Sequence, residues 1–140
     1  MNSGYSGTPL AKKLGIKEGF VVVSVNEPAD YDKLLAPLPS GVSIVNAEQF
    51  DAASPIDLVH LFTNDRDELF HELPKWMRSI RPDGMIWVSW YKKAAKLPTE
   101  ITEDTVREAA LPLGLVDVKV CAVDEKWSGL KLVIRKENRA

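Results

Sequence analysis

The amino-acid sequence predicts an α/β domain built on a mainly parallel sheet of about six strands, closed by an antiparallel hairpin. Three observations lead there. Apolar, β-branched runs recur along the chain with little alternation, the habit of strands covered on both faces. Segments with helical apolar spacing separate these runs, as right-handed crossovers between parallel strands require. The last two runs do alternate and follow each other directly, as the arms of a hairpin do.

Thr8-Pro9-Leu10 opens a short helix, with Thr8 as its cap, Pro9 at the first helical position and Gly15 as its stop. Phe20 to Val25 is the first strand. Pro28 to Leu35 is a short helix, closed by Pro37 and Pro39, and Val42 to Val45 is the second strand. Ile56 to Phe62 is the third. Asn64 then starts a helix whose first turn carries Asp65, Asp67 and Glu68 against the positive end of the dipole. Leu69, Leu73, Met77 and Ile80 face the sheet, and Pro74 predicts a kink or break. Pro82-Asp83-Gly84 reads as a turn into the strand Met85 to Trp90. In that strand Trp87 and Trp90 point to opposite faces, one under a helix and the other toward the end of the sheet.

Thr102 caps the last helix, which buries Val106, Ala109, Ala110 and Leu113 and ends at Gly114. Val116, Val118, Val120 and Ala122 then form the apolar face of one hairpin strand; Leu130, Leu132 and Ile134 form that of the other. Val22, Val59, Leu61, Val88 and Leu132 are expected in one contiguous core.

Residues 1–140 suit a single domain. With 18 basic and 20 acidic residues the formal charge is −2, so the global basic field of a non-specific nucleic-acid binder is missing. Cys121 is the only cysteine, which excludes an intrachain disulfide and a paired-cysteine metal site. The first residues show no signal-peptide pattern and no apolar run approaches the ~20 residues of a membrane span, so a cytoplasmic location is the expectation.

The closing helix and hairpin resemble those of Rossmann-like methyltransferases. From Asp57 onward, the run to Phe62, the helix after it, Ile80-Arg81-Pro82-Asp83-Gly84, the next strand and the hairpin look like the second half of such an enzyme. Over nearly its full length the chain also resembles a bacterial domain-of-unknown-function family, numbered 3052. That resemblance rests on Ser3-Gly4-Tyr5-Ser6-Gly7-Thr8-Pro9-Leu10, Trp87-Val88-Ser89-Trp90 and Leu111-Pro112-Leu113-Gly114-Leu115. It implies a truncated methyltransferase-type fold and no established activity.

A methyltransferase needs a glycine-rich turn after its first strand so that backbone can approach the cofactor. Here Ser24 to Asp30 contains no glycine, and Pro28 removes one N–H. Glu48 is the one acidic candidate after the second strand. No cofactor is expected, and the same turn excludes a dinucleotide fingerprint or a phosphate loop.

The carboxyl ends of the strands remain the expected ligand side. That rim would gather Asn26 and Glu27, Thr63, Asn64 and Asp65, then Trp90, Tyr91, Lys92 and Lys93. We take Asn26, His60, Thr63, Asn64, Tyr91, Lys92 and Lys93 as ligand-binding candidates, with His60 beneath the rim and any anion nearer the two lysines. His60 is either a proton carrier or a hydrogen-bonded core ring. Asn64 and Asp65 also suit a helix cap, and Tyr91-Lys92-Lys93 also suits a solvated loop. Trp127, in the polar hairpin loop Asp124 to Gly129, either folds back over the sheet or offers an aromatic contact to a partner. His71 lies on the polar side of its helix, so no metal site is expected, and Ser89 lacks the glycines of a nucleophile elbow.

The reading that follows is a small, non-catalytic binding or regulatory domain, its partner an unidentified small molecule or protein. One alternative is a divergent small-molecule transferase using His60 and Lys92 at the rim. The other is a protein-interaction module using the Trp127 hairpin.

Overall fold

The computed structural model describes residues 8–51 and 54–139. The Ser3 to Gly7 part of the N-terminal motif lies outside them. The elements, in order, are α1 (Leu10–Leu14), β1 (Val21–Val25), α2 (Tyr31–Leu35), β2 (Ser43–Asn46), β3 (Ile56–Phe62), α3 (Arg66–Met77), β4 (Ile80–Tyr91), α4 (Glu103–Ala110), β5 (Leu115–Ala122) and β6 (Trp127–Ile134). They form one six-stranded sheet in the order β2-β1-β3-β4-β6-β5. Four strands are parallel, and β6 runs antiparallel to both β4 and β5.

The sheet buries both faces. Val22, Val59, Leu61, Val88 and Leu132 are all solvent-free, as expected, but they do not share one core. Val59, Leu61, Val88 and Leu132 lie under α3 and α4. Val22 belongs to the opposite layer, with α1, α2, Leu58, Phe62 and Trp87. Alternation along a strand splits an apolar run between two layers. It also separates Trp87 from Trp90, as expected: Trp87 donates its indole N–H to the Leu14 carbonyl at 2.8 Å, while Trp90 packs on the other side.

Several boundaries moved for local reasons. Pro9, not Thr8, is the α1 cap, and α2 starts at Tyr31 rather than Pro28. Asp65, not Asn64, caps α3 and accepts the Glu68 N–H at 2.9 Å. Pro74 neither breaks nor splits α3, which runs on to Met77. The carbonyl that loses its i+4 donor at Pro74 belongs to Phe70, one of the exposed residues of α3. Pro82-Asp83-Gly84 lies inside β4, where the register with β3 jumps from Ile56↔Ile80 to Leu58↔Met85. Arg81 holds this bulge against Asp57 at 3.0 Å, and the same carboxylate accepts the Val21 N–H at 2.8 Å.

The largest departure is β5. Its expected apolar face is open to solvent, with Val118 at 55% and Val120 at 50% exposure. β5 is an edge strand, a bulge between Asp117 and Lys119 turns it, and α4 engages only its beginning, where Arg107 bonds Asp117 at 3.0 Å. Thr102 does cap α4, in a reciprocal pair of bonds with Thr105.

A closed polar edge at the ends of the parallel strands

β1 connects outward to β2 and β3 connects the other way to β4, so the crevice between β1 and β3 is the sheet's topological switch point. Asn26 spans it. Its backbone takes a positive φ of 58°, a conformation asparagine tolerates better than most residues. Its side-chain amide donates to the Phe62 carbonyl at the end of β3 and to Glu68 of α3, both at 3.2 Å. Thr63, buried, donates to the other Glu68 oxygen at 2.6 Å, so one carboxylate ties together the ends of both strands. Asn64 accepts the Tyr91 N–H at 2.8 Å and locks β3 to β4.

On the β2 side, Asn46 donates to Glu27 Oε2 at 2.8 Å. Glu27 Oε1 is shielded from solvent and has no hydrogen-bond partner among the described residues. Glu48, the expected acidic residue, is exposed and gives only its N–H to Asn46.

His60 lies beneath this edge with no solvent exposure. Tyr31 Oη is 2.8 Å from Nδ1, and Ser89 Oγ is 2.8 Å from Nε2. Burial pushes the ring down from 6.5 to about 3, so it is neutral in the native state. A neutral imidazole donates from one nitrogen and accepts at the other, so the Tyr31 and Ser89 hydroxyls take opposite roles. Burial, then the charges of Glu27 and Asp32, push the Tyr31 phenol up and keep it protonated. Phe62 stacks on His60 at 4.1 Å between centroids, with Tyr31 edge-on to both.

Trp127 continues this aromatic block. It is 8% exposed, 4.9 Å from Phe62 and 4.5 Å from Tyr91, so of its two expected orientations the inward one is found. Lys92 gives its N–H to the Lys126 carbonyl at 2.8 Å, joining the loop after β4 to the hairpin, and Lys93 begins an exposed 3₁₀ turn. Two clefts flank the edge. One, of about 540 Å³, is bordered by Asn64, Asp65, Pro98, Thr99 and Glu100. The other, of about 310 Å³, lies between Pro28, Asp30 and Leu34 and the hairpin loop at Asp124 to Trp127.

The structure therefore brings Asn26, Thr63, Asn64 and Tyr91 to one edge with His60 below, and sets Lys93 apart. Sequence reasoning missed Glu68, Tyr31 and Asn46. Glu68 was readable only as a first-turn charge, although Asp65-x-x-Glu68 has capping-box spacing that holds it near Thr63. Tyr31 and Asn46 carry no sequence signal, because the strand order alone puts them beside His60 and Glu27.

Residues 11–136 match the family described as "Protein of unknown function (DUF3052)". The chain belongs to that family. No curated protein matches its sequence. Among solved structures it resembles a protein of Sulfolobus solfataricus described as a type 11 methyltransferase, at 16% identity and a TM-score of 0.64, covering 92% of this chain and 91% of the other. An S-adenosylmethionine-dependent methyltransferase of Aquifex aeolicus is similar at 17% identity and a TM-score of 0.59, with 89% and 88% covered. A Bordetella parapertussis protein described as exported matches at 13% identity and 0.61, over 90% of this chain and 66% of that one. Such low identities establish the fold, Rossmann-like and methyltransferase-like, and nothing about activity. No helix among the described residues is long and apolar enough to cross a membrane.

Proposed function

We propose that this DUF3052 chain is a non-catalytic binding or regulatory domain on a methyltransferase-type scaffold whose cofactor crevice is latched shut. The observation that carries the reading is Asn26, whose amide bridges the switch point from β1 to Phe62 and Glu68. A bound cofactor needs close backbone approach at this point, which glycine provides. Asn26, Glu27 and Pro28 fill that turn instead, and Pro28 has no N–H to offer. The residues present do not fit S-adenosylmethionine.

His60 supports the same reading. It is enclosed, neutral and bonded on both nitrogens, the state of a core ring rather than of a proton carrier facing substrate. Titrating the purified chain with S-adenosylmethionine to millimolar concentration should leave its melting temperature unchanged, since only a ligand of the folded state raises it. A saturable rise, matched by micromolar affinity in calorimetry, would overturn the proposal.

A further inference from the structure

A second polar region, apart from the switch-point edge, lies where α1 meets the outer strands. In register, Lys119 of β5 stands opposite Lys131 of β6, which stands opposite Trp87 of β4. Directly opposed residues share a face, and the Trp87 bond to Leu14 shows that this face is the one α1 covers. The last turn of α1 brings Lys12 and Lys13 to the same place, with Lys17 just beyond.

Like charges directly across a strand pair destabilise the sheet. Here Lys119 and Lys131 are such a pair. Described acids pair with Arg66, Arg81 and Arg107, while Lys12, Lys17, Lys119 and Lys131 take part in no ion pair among the described residues. Burial and then the charges of Lys119 and Lys17 push the Lys131 ammonium down. Backbone carbonyls fix two of the cations: Lys13 Nζ donates to Ala122 O at 3.1 Å, and Lys119 Nζ to Lys13 O at 3.4 Å. Between them opens a cleft of about 530 Å³, lined by Lys12, Lys13 and Lys119 and by Thr8, Val120, Cys121 and Ala122. Lys92 adds its field at Cys121.

We infer that this cleft binds a small phosphorylated molecule, its phosphates held by Lys12 and Lys119 and its organic part against Cys121, which shares the face of Lys119. Ammonium groups are point-charge phosphate binders, and the cleft has the volume of a small-molecule site. The charges converge on one cleft rather than forming a stripe, and a chain of net charge −2 disfavours an extended polyanion. A compact anion suits that distribution better than a nucleic acid.

The test uses the whole chain and inorganic pyrophosphate, with sulfate at equal ionic strength as control. Amide resonances of Lys13, Lys119 and Cys121 should shift saturably with pyrophosphate, and alkylation of Cys121 by iodoacetamide should slow. The double variant K119Q/K131Q should lose at least ~tenfold in affinity and Lys33→Gln, on α2, nothing. Should the half-buried Lys131 prove necessary for folding, the exposed single variant K119Q should still lose about threefold. No saturable change, or an equal response to sulfate, would overturn the site. Tighter binding of a single-stranded oligonucleotide than of pyrophosphate would overturn the small-molecule assignment. The S-adenosylmethionine titration reads the opposite part of the fold, so either proposal can fail while the other stands.

Discussion

At the switch-point edge, Glu68 joins Asn26 to Thr63, and Asn64 holds Tyr91, so side-chain bonds tie the ends of β1, β3 and β4. At the α1–β5 cleft, Lys119 faces Lys131 across the strand pair, and neither is in an ion pair among the described residues. The edge that an open α/β sheet usually offers to ligands has become part of the structure, since each bond made between strand ends is one not available to a ligand. The cleft does the reverse: Lys119 and Lys131 repel each other across the strand pair there. Bonds between opposite partners dominate one region and like charges the other.

That contrast can be broken most directly at His60. Its native pKa of about 3 lies below the unfolded value of 6.5. The unfolded chain therefore takes up a proton that the folded chain refuses, and the stabilising contribution, complete above the unfolded pKa, is lost as pH falls through that window. Between about pH 6.5 and pH 4 this term should remove on the order of 3 kcal/mol, read from urea midpoints. His60→Gln should flatten that dependence; an unchanged acid slope would show that the buried network is not what it rests on.

Smaller effects sharpen the comparison. Asn26→Ala should cost about 2 kcal/mol, from two lost bonds and a Cβ held at positive φ without a polar side chain to support it, and Asn26→Gly about 1 kcal/mol. Equal losses in the two variants would mean that the latch, not the backbone, accounts for the whole effect. Lys119→Gln should have the opposite sign, a gain of up to about 0.5 kcal/mol that shrinks as salt is added. A loss of more than about 1 kcal/mol there would show that the lysine cluster is itself structural.

The element order, the six strands, both sheet faces and the closing hairpin were legible, because apolar periodicity is a local property of sequence. So was the absence of a glycine turn between Ser24 and Asp30. The unbroken α3 at Pro74 and the exposed Val118 and Val120 were not. A proline's cost depends on whether solvent reaches the abandoned carbonyl, and a strand's apolar face is buried only if a helix covers it.

The candidate site divides along the same line. The sequence by itself determined which residues could stand at the strand ends, since those positions follow from where each strand stops. The packing of the sheet and its helices made Glu68 close them, enclosed His60 between Tyr31 and Ser89, and set Lys119 against the Lys13 carbonyl. Such contacts join distant parts of the chain, 109 residues apart in the Lys13–Ala122 bond. Nothing local in a sequence encodes a contact that strand order and register create.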